Sequence, residues 1–293
     1  MENHKAGFVN IVGNPNVGKS TLMNALVGEK LSIITSKSQT TRHRIMGIVN
    51  GEDFQIVYSD TPGVVQPASK LHESMLKFSK SALEDADVII YVTDIYEKTD
   101  KNIDFIEKTK NTGIPVLLII NKVDLSNQEK LVELTESWEK IMPDAYIIPT
   151  SATENFNIDI LLRKIIELLP VSPPFFPKDQ LTDKTERFFV SEIIREKILM
   201  NYKKEIPYSA EVEVEEFKEE EHIIKIRAII NVERESQKGI IIGNKGAALK
   251  KTGTMARIDI EAFFEKKVYL ELYVKVSKDW KNKPKSLKQF GYN

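Results

Sequence analysis

The sequence predicts an α/β fold, a doubly wound and mainly parallel sheet, followed by a smaller α+β domain. Three observations carry this. Short apolar runs alternate with helically spaced segments through the first 170 residues. The stretch Val171-Ser172-Pro173-Pro174-Phe175-Phe176-Pro177 is punctuated by proline and cannot continue a helix. Beyond it, a helical segment precedes two stretches that alternate by two, Ala210–Phe217 and Ile223–Val232, which read as a hairpin with one wet face.

In chain order, strands are expected near 6–12, 45–50, 54–59, 88–93, 115–120 and 145–149. Asn50-Gly51 is a hairpin signal, so one strand is antiparallel. Helical segments include Leu71–Leu83 and Asn157–Leu169, the second halted by Pro170. The second domain opens with a helix over Thr185–Asn201, whose Phe188, Phe189, Ile193, Ile194, Ile198 and Leu199 keep helical spacing. After the hairpin come an apolar strand before Gly243, a helix after Gly246, a separate helix over Arg257–Phe264 and a closing strand over Lys267–Val276. The predicted division is 1–174, a semi-rigid linker at 175–186, and 187–293.

At 293 residues, 41% apolar and 29% charged, the chain supports two domains with real cores. It has no cysteine, which excludes disulfides and thiolate metal sites. His4, His43, His72 and His222 show no metal-ligand spacing. Apolar runs are only strand length, so secretion and membrane spanning are not expected. The net charge of −1 hides a gradient: from Lys238 to Asn293 there are 13 Lys/Arg against five acids. That basic end suits a polyanionic partner.

Gly13-Asn14-Pro15-Asn16-Val17-Gly18-Lys19-Ser20 matches G-x-x-x-x-G-K-[ST] in full. It follows an apolar strand, Gly7–Val12, and opens a helix from Thr21 to Val27. In that context backbone N–H groups and the helix N-terminus converge on nucleotide phosphates. Lys19 then reaches the β- and γ-phosphates and Ser20 ligates Mg²⁺. Asn121-Lys122-Val123-Asp124 lies at the carboxyl end of a strand, where open α/β sheets place ligands. The Asp124 carboxylate can accept from N1–H and N2–H₂ of guanine, a donor pair adenine lacks. Asn121 braces the loop and the Lys122 stem covers the purine face. Asp60-Thr61-Pro62-Gly63 ends another strand, with Asp60 placed to hold Mg²⁺ through water and the Gly63 N–H to touch a γ-phosphate. Ser151-Ala152-Thr153 follows a further strand, and its N–H groups can meet guanine O6. Ser38-Gln39-Thr40-Thr41-Arg42 offers a threonine hydroxyl to Mg²⁺. Loss of the γ-phosphate releases such segments, an order–disorder switch between GTP and GDP.

These motifs resemble the translation-factor-like branch of P-loop GTPases over residues 5–170. The resemblance implies catalysis carried by Lys19, Thr41, Gly63 and Asn16, with Thr41 as the Mg²⁺ ligand and Thr40 as the alternative. Where many such GTPases place a water-orienting glutamine, this chain has Val64, so slow intrinsic hydrolysis is expected, aided by a partner or a cation. Asn16 matches a loop asparagine that coordinates K⁺ in some relatives; it could equally serve only to shape the loop.

Gly243-Asn244-Lys245-Gly246 follows Ile242 and precedes a helix bearing Lys250 and Lys251. A G-x-x-G loop lets the backbone approach a sugar-phosphate chain, and an adjoining apolar groove takes unstacked bases. The order of elements resembles a bacterial (type II) KH domain. The whole chain resembles the Era family of bacterial GTPases. Further carriers are Thr40-Thr41-Arg42-His43-Arg44, Glu192-Ile193-Ile194-Arg195-Glu196-Lys197 and Val274-Lys275-Val276-Ser277-Lys278-Asp279-Trp280. The resemblance implies a monomer that binds 16S ribosomal RNA near its 3′ end and the maturing 30S subunit. It also implies a cytoplasmic site, with peripheral association on the inner face of the membrane in some members. Two other classes compete: a membrane-surface GTPase whose basic tail meets anionic lipid, and a GTPase of RNA modification, which the lack of cysteine disfavours.

Overall fold

The computed structural model describes residues 3–37, 39–63, 67–97 and 102–292. The first of its two compact units spans up to Ser32, 41–68 and 72–183. Its strands are β1 (Lys5–Gly13), β2 (Ile45–Asn50), β3 (Phe54–Asp60), β4 (Val88–Asp94), β5 (Val116–Asn121) and β6 (Tyr146–Pro149). They form one sheet in the order β2-β3-β1-β4-β5-β6. Only β2 is antiparallel, paired to β3 through the hairpin at Asn50-Gly51. The inner strands β4 and β5 are buried on both faces, which is why they read as unbroken apolar runs instead of alternating.

Helices α1 (Lys19–Val27), α2 (Lys70–Glu84), α3 (Ile103–Lys110), α4 (Gln128–Ile141) and α5 (Ile158–Leu168) connect the strands. Trp138 of α4 and Tyr91 of β4 lie in one buried cluster with Leu118, Ile120 and Met142.

The proline-punctuated segment is not a free tether. Gln55, fully buried on β3, accepts from the N–H groups of Phe175 and Phe176 at 2.7 and 2.9 Å and donates to the Phe176 carbonyl at 2.8 Å. Further on, Ile48 N–H donates to Leu181 O at 2.8 Å, and the Thr182 hydroxyl donates to Met46 O at 2.6 Å. Residues 175–183 therefore cover the open edge of β2, which would otherwise present unpaired backbone groups.

The second unit comprises residues 184–292 with 33–37, 39–40 and 69–71. Strands β7 (Glu211–Glu219), β8 (Ile223–Val232) and β9 (Lys267–Val276) form a three-stranded sheet in that order, β8 and β9 being parallel. Helices α6 (Glu186–Asn201), α7 (Ile206–Ser209), α8 (Glu235–Ile242), α9 (Ala247–Phe264) and α10 (Pro284–Gln289) complete it. The inward residues of β8, from Ile224 to Val232, meet Ile194, Ile198, Ala256 and Ile260 in one core. The α6 helix also buries charge: Arg195 pairs with Glu192 at 2.6 Å, and Lys197 with Glu196 at 2.8 Å. Within this unit Arg195 donates to the carbonyls of Gln39 and Thr40, and the Lys37 ammonium donates to the carbonyls of Leu199 in the last turn of α6 and of Tyr202 just beyond it.

Two expectations are corrected. The apolar stretch before Gly243 is the helix α8, not a strand. The region after Gly246 is one helix of 18 residues, not two. The helix runs unbroken through Gly253, and there a Cβ would lie only 3.2 Å from Leu272 Cδ1 of β9. The glycine serves helix–sheet approach rather than chain reversal.

Candidate functional site

The strand β1 ends at Gly13 with φ 141°, where any Cβ would run into the Val92 carbonyl. Gly18 (φ 98°) then caps α1, and a Cβ there would strike Asn121. The loop between them is thus shaped by glycine at both ends, with Asn14 and Val17 buried, Pro15 half-buried and Asn16 exposed at φ 67°. Asn14 donates through its side chain to Glu97 and accepts from Asn102. Thr21 is half-buried in the first turn of α1.

Lys19 is buried and donates to the carbonyls of Gly13 and Asn14 at 3.1 and 2.8 Å. Burial pulls its pKa down to about 8, against the opposing pull of Asp60 and Glu97. A phosphate arriving in the loop supplies the anion this ammonium lacks.

Three oxygen-bearing side chains meet at the start of α1. Ser20 Oγ donates to Asp60 Oδ2 at 2.7 Å, Thr41 Oγ1 donates to the same oxygen at 3.2 Å, and the two hydroxyls are 2.8 Å apart. Desolvation raises the Asp60 pKa, with Lys19 and the hydroxyls of Ser20, Ser32 and Thr41 acting in the other direction. Asp60 Oδ1 is buried without a hydrogen-bond partner. A carboxylate with one oxygen shared by two hydroxyls and the other left without a partner is a hard-oxygen donor set that suits Mg²⁺. Thr40, the alternative ligand, is elsewhere: its hydroxyl donates to Lys37 O at 2.6 Å and lies 2.7 Å from Thr35 Oγ1. Thr61 Oγ1 donates to Ile11 O at 2.8 Å, and the Pro62 carbonyl accepts from Ser79 Oγ at 2.7 Å. Gly63 lies against the phosphate loop so closely that a Cβ would fall 2.8 Å from Pro15 Cα. Val64 lies outside the described residues.

The base loops are stapled to the phosphate loop. Asn121 Nδ2 donates to Val17 O at 2.9 Å while its Oδ1 accepts from Ala152 N at 3.1 Å. Lys122 Nζ donates to Asn16 O and to Asp94 Oδ2, both at 2.6 Å. Val123 N donates to Thr150 O at 3.2 Å. Ser151 Oγ donates to Asp124 Oδ1 at 2.6 Å and sits 3.2 Å from Thr153 Oγ1. The structure thus brings all four strand-end motifs to one place. Sequence reasoning did not single out Asp94, Glu97 or Asn102; their signal was position alone, at and after the end of β4.

In the second unit, Ile242 ends α8, and Gly243 (φ 71°), Lys245 (φ 49°) and Gly246 (φ 78°) all take the left-handed region. A Cβ on Gly243 would lie 2.6 Å from Ala248 Cβ, which fixes glycine there. Asn244 and Lys245 are exposed at the tip. Beside the loop lies a groove of about 350 Å³ lined by Gly246, Leu249, Lys250, Gly253, Thr254 and Arg257 of α9 and its entry, with Leu270 and Leu272 of β9. Its lining combines the apolar Leu249, Leu270 and Leu272 with the basic Lys250 and Arg257, the combination that suits an unstacked strand of nucleic acid. Lys251 is exposed and is not among the lining residues. The spacing 246, 250, 253 and 257 marks one helix face, a signal that would have found Arg257.

Comparison with known proteins agrees with both halves. A family profile described as 50S ribosome-binding GTPase matches residues 8–122, and one described as KH domain matches 205–281. GTPase Era of Syntrophus aciditrophicus (strain SB) is 47% identical over 99% of this chain and 95% of its own length. The same-named protein of Staphylococcus haemolyticus (strain JCSC1435) is 44% identical over 100% of this chain and 98% of its own. A crystal structure of Era with MgGDPNP and nucleotides 1506–1542 of 16S ribosomal RNA superposes with a TM-score of 0.94 at 40% identity, covering 99% of both chains. A tyrosine-to-alanine variant of Aquifex aeolicus Era bound to GDP and AlF₄⁻ gives a TM-score of 0.93, also at 40% identity, over 98% of this chain and 99% of that one. A phosphate loop, a guanine-reading loop and a G-x-x-G groove in this order, with similarity along the full length, show that the chain belongs to the Era family of GTPases.

Proposed function

We propose that this GTPase is a nucleotide-controlled switch that binds 16S ribosomal RNA near its 3′ end and acts in assembly of the small (30S) subunit. The observation that carries the reading is the groove beside Gly243–Gly246, lined by leucines together with Lys250 and Arg257, on the same chain as a GTP site. Support for the target comes from the related Era structure, which holds nucleotides 1506–1542 of 16S RNA. The nucleotide is GTP or GDP with Mg²⁺. Phosphates occupy the N–H cradle of residues 13–21, Lys19 takes the β- and γ-phosphates, and Ser20, Thr41 and Asp60 serve the metal. Gly63 reports the γ-phosphate; Asp124, with Asn121, Lys122, Val123 and 151–153, reads guanine. Mg²⁺ held by Ser20, Thr41 and Asp60 would neutralise charge developing on the phosphates, and this chain's own part is to bind and orient the triphosphate through residues 13–21 and Lys19. Asn16, exposed at φ 67°, is a candidate K⁺ ligand.

The RNA contact is assigned to Ile242, Gly243, Asn244, Lys245, Gly246, Lys250 and Lys251. The domain limits proposed are 1–174, 175–186 and 187–293; the hydrogen bonds of 175–183 to β2 and β3 argue for counting that part of the linker with the first domain. A cytoplasmic monomer suits a ribosomal target. No helix among the described residues is long and apolar enough to cross a membrane, and peripheral membrane association has no separate support.

Binding of a labelled RNA with the 16S 3′-terminal sequence tests the reading. Replacing Gly243 and Gly246 together with Asp should weaken it at least tenfold, since two carboxylates and two strained backbone positions then face a phosphate chain. GTP hydrolysis measured without RNA checks that the nucleotide domain is intact, and a retained calorimetric transition of the second unit checks that the variant's G-x-x-G domain is folded. Equal affinity of wild type for a scrambled RNA or for anionic vesicles would overturn the target.

A further inference from the structure

We infer that Asp94 is a positioning residue for nucleotide retention, holding the Lys122 ammonium so that the lysine stem is fixed where the purine must lie. The inference rests on the reading of Lys122 as a purine contact.

Asp94 is the last residue of β4 and stands directly beside Asn121 in the β4–β5 register. No motif of the phosphate or base loops includes it, yet it is only 5% exposed. Its two carboxylate oxygens do different things. Oδ1 accepts from the Tyr96 N–H at 3.0 Å, closing a local turn. Oδ2 accepts from Lys122 Nζ at 2.6 Å. The same ammonium donates to the Asn16 carbonyl in the phosphate loop at 2.6 Å.

Lysine is a point charge on a flexible four-carbon stem, so its backbone position alone does not fix where the stem runs. Lys122 is held at both ends. Its φ of 63° sets the departure of the side chain, and the pair of acceptors on Asn16 and Asp94 sets the ammonium. Of these acceptors only Asp94 carries charge, and a charge-assisted hydrogen bond is the stronger kind. The chain from the Asn16 carbonyl through Lys122 to Asp94 therefore links phosphate loop, base loop and β4. Without the carboxylate the ammonium keeps one neutral acceptor and the stem is free to leave the purine face.

Asp94→Asn separates this role from a structural one, because the amide keeps the shape and can still accept from Tyr96 N–H while losing the charge that faces Lys122. Dissociation of a fluorescent GDP analogue from the full-length protein, followed by stopped flow with excess GDP, should be roughly tenfold faster in the variant. In a Lys122→Ala background the same change should add less than about twofold, since the group it acts through is gone. Asp94→Ser, smaller and with a hydroxyl in reach of Tyr96 N–H, repeats the test should the asparagine variant not fold. Wild-type dissociation in D94N and D94S, or an acceleration of equal size with and without Lys122, overturns the inference. If Lys122→Ala itself leaves dissociation unchanged, the purine-contact reading fails and the inference with it. If Lys122→Ala accelerates dissociation and Asp94→Asn does not, only the inference fails.

Discussion

At the scale of single residues, charge and burial set what can be measured. Asp124 is held from one side by the Ser151 hydroxyl, leaving its outer edge to the base. Asp124→Asn turns an acceptor pair into one acceptor and one donor, which suits the extra carbonyl of xanthine. Guanine affinity should fall on the order of 100-fold, since hydrogen bonds to a charged group are worth about 1.5–3 kcal/mol each. Xanthosine diphosphate should gain, as read by calorimetric titration with both nucleotides; retained guanine preference would refute the role of Asp124.

Lys19 makes a second expectation at this scale. Its pKa of about 8 in the free protein means that it begins to lose its proton just above neutrality. A bound triphosphate stabilises the ammonium, so the pKa rises on binding and affinity is full below pH 8 and lost as pH rises through it. Between pH 7.5 and 8.5 the affinity for GDP should drop about threefold by this linkage. Lys19→Ala should bind weakly and show no such slope. A flat wild-type profile over that window would place the lysine proton elsewhere.

At the scale of elements, local pattern succeeded where a run was long enough for its period to show and failed where the run was short or its state depended on a distant partner. The alternation of Ile223–Val232 identified β8 because its outward Lys225 and Arg227 interrupt the inward Ile224, Ile226 and Ala228. By contrast Gly239-Ile240-Ile241-Ile242 is a short apolar run whose period is ambiguous, and its β-branched content favoured a strand. It is helical because the Gln237 side chain accepts from the N–H groups of Glu233 and Arg234, fixing the helix start, and because only Ile241 of the three isoleucines is fully buried. The separate helix expected over Arg257–Phe264 is instead the C-terminal part of α9, which runs on through Gly253, where the lack of a side chain lets the helix approach Leu272 of β9, nineteen positions away.

At the scale of the whole molecule, the described residues build two units around separate cores, one beneath Leu118 and Trp138 and one around Ile194 and Ile226. Calorimetric unfolding should therefore show two transitions. Mg²⁺ and GDP at about 100 times their dissociation constant stabilise the unit that binds them by about 2.7 kcal/mol, an upward shift of several degrees for that transition alone. A single transition, moved as one, would show that the two cores unfold together.

The sequence by itself determined the positions of the nucleotide domain's strands along the chain, the phosphate loop, the guanine loop and the G-x-x-G tetrapeptide. These are encoded by residue type at fixed short spacing, where glycine conformation and carboxylate chemistry leave few alternatives. Tertiary structure alone decided what depends on distant partners: that Thr41 and not Thr40 meets Ser20 and Asp60, that Asp94 and Glu97 stand beside the loops, that Arg257 lines the groove, and that residues 175–183 are bound to β3 and β2. Each of those depends on contacts made by residues far apart in the chain, which local composition does not encode.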